Sequence, residues 1–194
     1  MSAPDPHPPK PVERHRWLRW ALDAALIVLV IVAVQLWQTR HVPFGAAPDF
    51  AGPLATGGAM RLAAWRADHP GRPVAVYFWA DWCPICKAQQ GSVASLAGDW
   101  PVLTVAMQSG SPAEVARVLA ERGLAWPTVV DESGAIASRY GLAGVPALAV
   151  IDADGRLRTV AVGYTTALGM RARLWWASLV PASGAAGGAR KASE

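Results

Sequence analysis

The first strong pattern along the chain is a long apolar segment near the N-terminus. Leu18 to Trp37 gives 20 largely apolar residues. With a rise of 1.5 Å per residue, a helix of that length spans about 30 Å, which is the thickness of the hydrocarbon core of a bilayer. The pattern therefore predicts one transmembrane helix over residues 17–38.

The basic residues around this segment predict its orientation. Lys10, Arg14, Arg16 and Arg19 precede the apolar core, whereas Arg40 alone follows it closely. Because positive charge is retained on the cytoplasmic side, the N-terminus is expected in the cytoplasm and everything after the helix outside it.

A cleaved signal peptide is the alternative for the same segment. Its purest apolar stretch, Ala24 to Val34, has the length of a signal-peptide core. The residues that follow, from Gln35 to His41, lack the small side chains of a cleavage site, so we favour an uncleaved anchor.

After the anchor, apolar runs of strand length alternate with helical segments. Ser111, Pro112 and Glu114 form a helix-starting signature, and Gly123 ends that helix. The predicted strands are PVAVYFW (73–79), PVLTVAM (101–107), WPTVV (126–130), PALAVI (146–151) and LRTVAV (157–162), and the predicted helices cover residues 87–98, 112–122, 135–140 and 166–179. The order βαβαβαββα predicts a three-layer α/β domain with a mostly parallel sheet and an antiparallel edge.

The last predicted helix carries several large apolar side chains. We expect it to pack Leu168, Leu174, Trp175 and Leu179 inward, as core. The predicted organisation is then a disordered cytoplasmic tail (1–16), the anchor (17–38), a linker (39–48), the folded domain (49–180) and a disordered Ala/Gly/Ser-rich tail (181–194).

Charge excludes one class of partner. The net charge is +4 and the pI is near 9.5, but the basic residues are scattered and form no run with interleaved aromatic residues. We therefore expect no nucleic-acid binding.

The chemistry of the chain centres on its only two cysteines, Cys83 and Cys86, in the stretch WADWCPIC. The motif lies between a buried strand and a helix, which places Cys83 at the helix N-terminus. Unpaired backbone N–H groups and the helix dipole stabilise a thiolate there and lower the cysteine pKa from about 8.5 to between roughly 3.5 and 7.5. Cys86, one turn later, is placed to resolve a mixed disulfide.

Two other uses of the cysteine pair remain as alternatives. A zinc site needs about four ligands, and the chain has no second cysteine pair, while all four histidines precede the motif. A purely structural disulfide would close too small a ring to stabilise the fold much. Redox exchange is the favoured reading, with no metal and no cofactor expected.

Two separated stretches, VYFWADWCPICK and YGLAGVPALAVIDADG, resemble the thioredoxin superfamily. The extra strand and helix at about 111–130 look like the TlpA/ResA branch of membrane-anchored proteins, and VAMQSGS and GYTTALGMRARLWW resemble the ScsD-type disulfide oxidoreductases. The resemblance covers about residues 49–179. It implies a thioredoxin-like three-layer fold with an extra βα insertion.

The resemblance also implies roles for individual residues. Cys83 would be the attacking thiol and Cys86 the resolving one. The Val145–Pro146 bond would be cis, leaving the backbone of Val145 free to pair with a substrate chain. The predicted substrate-binding residues are Trp82, Pro84, Val145 and Pro146.

The chain departs from the resembled proteins at two places. Thioredoxin has a buried acid where this chain has Tyr77 and Phe78, and ResA-like proteins have a glutamate where it reads Met107-Gln108-Ser109. The proton acceptor for Cys86 is therefore unassigned, with water as a candidate. Asp81 is interpreted as a solvated loop charge.

These observations predict a periplasmic thiol-disulfide oxidoreductase on the inner membrane of a Gram-negative bacterium. Its expected partners are protein thiols and disulfides, a membrane protein that donates or accepts electrons, and the lipid bilayer. One alternative is a copper-handling chaperone, although such proteins add a histidine after the cysteines and none follows His69 here. A peroxidase is a second alternative. Its reactive cysteine would need supporting Arg and Thr side chains, and the sequence does not identify such a cysteine.

Overall fold

The structure, a computed structural model, describes residues 13–179, with side chains from Trp17 onward. The chain divides into two compact units between Trp37 and Gln38. The predicted tails, 1–16 and 181–194, lie outside the described residues, except that 13–16 belong to the first helix.

The N-terminal unit is one helix, α1 (Glu13–Thr39). Within it, Trp17–Thr39 forms a 23-residue stretch with a mean hydropathy of 2.2 and side chains exposed throughout most of its length. This confirms a helix long and apolar enough to cross a membrane, a property that a signal sequence shares.

The second unit is an α/β domain whose elements follow the predicted alternation. After a short strand, a two-stranded hairpin and a short helix, the order is strand, helix, strand, helix, strand, helix, strand, strand, helix. The strands are β1 (Gly45–Ala46), β2 (Ala51–Pro53), β3 (Ala59–Arg61), β4 (Val74–Trp79), β5 (Val102–Met107), β6 (Thr128–Asp131), β7 (Ala147–Ile151) and β8 (Arg156–Val162), and the helices are α2 (Leu62–Ala67), α3 (Pro84–Ala97), α4 (Pro112–Glu121), α5 (Ala135–Arg139) and α6 (Ala167–Leu179).

Six strands form one sheet in the order β1-β8-β7-β4-β5-β6. The pairs β4–β5 and β5–β6 are parallel, whereas β7 runs antiparallel to β4 and to β8. The sheet is thus more antiparallel than the predicted mostly parallel one. Between β6 and β7 the chain has only the five-residue helix α5 and a loop, and β7 then pairs antiparallel with β4, a pairing that needs no long crossover.

The central strand β4 is buried on both faces, as its unbroken apolar run predicted. Val76 and Phe78 point into a core shared with α2 and α5. Ala75, Tyr77 and Trp79 point into a second core, beneath α3, α4 and α6. Both cysteines belong to this second core.

The prediction for α6 is wrong for three of its four residues. Leu174 is fully buried, but Leu168, Trp175 and Leu179 are 77%, 61% and 58% exposed. The helix instead buries Met170 and Ala177 beside Leu174. Because Met170, Leu174 and Ala177 also recur at helical spacing, the helix has two apolar faces, and only tertiary packing decides which one is covered.

Candidate active site

The redox motif begins where β4 ends. Trp79 is the last residue of β4, and Cys83 is the N-cap of α3, with an extended backbone and Pro84 at the first helical position. A proline fits there because its fixed φ suits the helix and its missing N–H is one that the helix would leave unpaired. This confirms the predicted placement of Cys83 at the helix N-terminus.

The two sulfurs are joined in a disulfide, with Cα atoms 5.3 Å apart. The backbone N–H of Cys86 donates a hydrogen bond to Cys83 Sγ at 3.1 Å. Both residues are almost completely buried, with 4% and 2% of their surface exposed. When the disulfide is reduced, the N–H of Cys86 remains positioned to stabilise a thiolate on Cys83.

The bend that leads into β7, the strand next to β4, lies against Cys83. The Val145–Pro146 peptide bond is cis, as the resemblance implied, and it leads directly into β7. The carbonyl oxygen of Val145 lies 3.6 Å from Cys83 Sγ. Within the described chain, neither the N–H nor the C=O of Val145 pairs with another backbone group, so its peptide edge is open.

The β8–α6 loop lies beside this bend. Gly163 N–H donates to the carbonyl of Pro146 at 2.8 Å, and Thr165 N–H donates to Gln89 Oε1 at 3.2 Å. Gln89 is buried on α3, one turn after Cys86. These two bonds fix the loop next to the disulfide. No sequence pattern predicts these bonds, because they join positions 17 and 76 residues apart.

The two residues before Cys83 are held by the segment after β5. Asp81 N–H donates to Ser109 Oγ at 3.1 Å, and the indole Nε1–H of Trp82 donates to the carbonyl of Gln108 at 3.0 Å. Gln108 has a positive φ of 48°, which is uncommon for a residue other than glycine. It is kept in that conformation partly by its own N–H, which donates to Asp131 O at 2.8 Å.

The helix α4 also contributes to this loop, through the C-capping residue Arg122. Its Nη2 donates to the carbonyl of Asp81 at 3.0 Å. The interpretation of Asp81 as a solvated loop charge holds only in part, because Asp81 is half-buried and its Oδ1 is shielded from solvent without a hydrogen-bond partner.

The tryptophans around the motif play different parts. Trp79 is fully buried and packs edge-on against Trp126, with ring centroids 6.1 Å apart, so it belongs to the core. Trp82 is 58% exposed and stands beside the disulfide at the surface. Of the predicted substrate-binding residues, Trp82 and Pro84 are exposed and Val145 is partly exposed, whereas Pro146 is buried.

Tyr77 occupies the place at which thioredoxin has a buried acid. Its side chain lies in the core that contains both cysteines, and its hydroxyl has no hydrogen-bond partner. Burial raises the pKa of Tyr77 well above its usual value. The hydroxyl therefore stays protonated at neutral pH and cannot accept a proton from Cys86 as a phenolate.

Among the described residues, no group of three or more His, Cys, Asp or Glu side chains is arranged to hold a metal ion. The chemistry that this site offers is that of its two sulfurs: opening the disulfide places a thiol at a helix N-terminus and a second thiol within bonding reach of it.

Comparison with known proteins agrees with this chemistry. Residues 45–160 match the AhpC/TSA family. A thioredoxin-like protein of Haemophilus influenzae is 31% identical over 107 residues, which are 55% of this chain and 64% of that protein. The thiol-disulfide oxidoreductase ResA of Geobacillus thermodenitrificans is 28% identical over 154 residues, which are 72% of this chain and 86% of that protein.

A solved structure shows the same likeness. The exposed lipoprotein thioredoxin of Streptococcus pneumoniae superposes with a TM-score of 0.55 at 28% identity, covering 66% of this chain and 99% of that one. The chain therefore belongs to the AhpC/TSA family and is a thiol-disulfide oxidoreductase of thioredoxin-like fold.

Proposed function

We propose that this oxidoreductase is tethered to the inner membrane and exchanges disulfides with protein substrates in the periplasm, with Cys83 as the attacking thiol and Cys86 as the resolving one. The observation that carries the proposal is the position of Cys83 Sγ. It accepts the N–H of Cys86 at the start of α3 and lies against the open peptide edge of Val145.

The exchange conserves atoms and electrons. In the reducing direction, the Cys83 thiolate attacks one sulfur of a substrate disulfide, forming a mixed disulfide and releasing one substrate thiolate. Cys86 loses its proton and attacks Cys83 Sγ, which releases the second substrate thiolate and forms the Cys83–Cys86 disulfide. The substrate gains two electrons and the oxidoreductase loses two. The oxidising direction is the same sequence reversed.

The open edge of Val145 supports a polypeptide as the substrate. An extended chain that pairs with the N–H and C=O of Val145, neither of which bonds another backbone group in the described chain, would bring its own sulfur next to Cys83, as in other cases of strand addition. Trp82 and Pro84 then line the other side of the bound segment. A membrane protein that donates or accepts electrons would restore the starting redox state.

The helix Trp17–Thr39 supports tethering, and the basic residues before it support a periplasmic domain. Val42 is already buried in the core of the domain, and Gly45 already pairs with β8. The chain between the helix and the fold is therefore short.

Trapping in cells tests the function. Full-length protein with Cys86→Ala lacks the resolving thiol, so mixed disulfides with substrates should accumulate and appear on non-reducing gels as bands that a reductant removes. Cys83→Ala is the matched control and should trap far less. Equal trapping by both variants, or none by Cys86→Ala, would contradict the proposed exchange.

A further inference from the structure

The side chain of Arg122 is a positive charge at the edge of the redox site. Arg122 caps the C-terminus of α4, and its side chain reaches across to the loop before α3. Its Nη2 donates to Asp81 O at 3.0 Å, while its Nη1 is shielded from solvent and has no partner. The only group that it binds within the described chain is thus an uncharged carbonyl.

No carboxylate forms an ion pair with Arg122 among residues 17–179. A guanidinium remains charged at every physiological pH. A partly buried cation with no counter-ion interacts more favourably with a protein state that places an anion nearby.

Reduction of the disulfide creates such an anion. The carbonyl bound by Arg122 belongs to Asp81, two residues before Cys83. Opening the Cys83–Cys86 bond takes up two electrons from a thiol reductant and one proton from solvent; the proton goes to Cys86, and Cys83 becomes a thiolate. The oxidised site carries no charge on either sulfur, so the interaction with Arg122 appears only in the reduced protein.

We propose that Arg122 is a positioning residue of the redox loop whose charge stabilises the reduced state of the site, making the disulfide easier to reduce. The inference rests on the proposed function, because it takes Cys83 as the thiolate of the reduced enzyme. Arg122 does not contact the sulfurs. It acts through the Asp81 carbonyl that it holds and through its electric field.

Other charges act on the same sulfur. The ionisable side chains on the elements around the motif are Asp81 on the loop, Lys87 on α3, Tyr77 on β4, Tyr164 on the β8–α6 loop, Glu114, Arg117, Glu121 and Arg122 on α4 and its C-cap, and Arg171 and Arg173 on α6. Glu114 is bound by Ser111 and Glu121 by Arg117, whereas Asp81 Oδ1 has no partner, so Asp81 is the carboxylate that opposes Arg122 at the loop. Removing its charge should therefore shift the equilibrium in the opposite direction from removing the charge of Arg122.

The experiment uses the full-length protein in detergent, equilibrated with mixtures of reduced and oxidised glutathione. The ratio of dithiol to disulfide is read by thiol alkylation and gel shift. Arg122→Met should make the disulfide at least about threefold harder to reduce, and it should move the rise in Cys83 alkylation by iodoacetamide to higher pH. Asp81→Asn should shift both quantities the other way.

Matched variants separate charge from structure. Arg122→Lys keeps the charge and should return both quantities most of the way to wild type. Arg117→Met removes an equal charge from the same helix, at an exposed residue already paired with Glu121 at 3.1 Å, and should change neither. If Arg122→Met does not fold, Arg122→Gln replaces it, since glutamine keeps a donor for Asp81 O but carries no charge.

Each outcome decides the matter. An equilibrium that is unchanged in the neutral variants, or shifted equally by Arg117→Met, would overturn the inference while leaving the proposed function intact. A shift that Arg122→Lys fails to reverse would show a purely structural role and overturn it as well. A wild-type disulfide that does not equilibrate with glutathione at all would overturn the proposed function and this inference together.

Discussion

Cys83 and Cys86 differ in surroundings much more than in exposure. Both are almost fully buried, yet only Cys83 accepts the N–H of Cys86 and lies beside Val145. A buried sulfur with a donor and an open peptide edge next to it is suited to attack a bound chain. A sulfur one turn further along the helix is suited to attack its neighbour.

Tyr77 offers a test at the scale of one atom. Its hydroxyl is buried without a hydrogen-bond partner, and such a group costs about 1–3 kcal/mol. Tyr77→Phe removes that oxygen and keeps the ring against Trp126, so the free energy of unfolding should stay the same or rise. Denaturant unfolding of the reduced and oxidised protein measures it. A loss of more than about 1 kcal/mol would show that the hydroxyl has a partner after all.

The placement of Cys83 was predictable from the sequence, because a strand, a Cys-Pro-x-Cys motif and a helix are consecutive in the chain. The contacts of Arg122, Gln108 and Ser109 with the same loop were not. They join residues 26 to 41 positions apart, and although Gln108 and Ser109 lie in the stretch VAMQSGS, that resemblance did not indicate what they contact. The register of β4 beside β5 brings Gln108 and Ser109 to the loop, and the packing of α4 brings Arg122.

At the scale of elements, two glycines show where the fold has room for a side chain and where it does not. Gly91 lies inside α3, with open space where a Cβ would be. Gly141 follows α5 with a φ of +68°, and a Cβ there would come within 2.2 Å of the carbonyl oxygen of His41. The first position tolerates a side chain, whereas the second does not.

Opposite effects on stability are expected from the two alanine substitutions. Gly91→Ala should raise the free energy of unfolding by up to about 1 kcal/mol, because alanine is the better helix former. Gly141→Ala should lower it by more than about 1 kcal/mol, because of the positive φ and the clash with backbone. Urea unfolding of both variants compares them directly. Equal effects would mean that the end of α5 is held differently from this description.

The helices and the central strands were easier to predict than the short strands or the buried face of a helix. The run at β4 and the Ser111–Glu114 capping box specify their elements locally, and the structure contains both. The strands β2 and β3 have three residues each, too few for a periodic pattern. For α6, apolar residues on both faces left the buried side to be decided by packing against α3 and β7.

At the scale of the whole molecule, the proposed tether has a direct consequence. If the helix Trp17–Thr39 stays attached, the mature protein keeps its N-terminus and fractionates with membranes after washing with salt or carbonate. Protease added to intact spheroplasts should remove the folded domain and leave a small membrane-bound fragment. A mature N-terminus between Gln38 and Asp49 would instead show a cleaved signal sequence.

The central claim is that Cys83 attacks and Cys86 resolves. The most direct test is the rate at which each single-cysteine variant forms a mixed disulfide with a small disulfide reagent at about pH 6, where an ordinary thiol is almost fully protonated. Cys86→Ala, which retains Cys83, should react at least about tenfold faster than Cys83→Ala, because the helix N-terminus and the backbone N–H of residue 86 favour a thiolate on Cys83. A Cys83→Ala protein that reacts as fast or faster would contradict the assignment of roles.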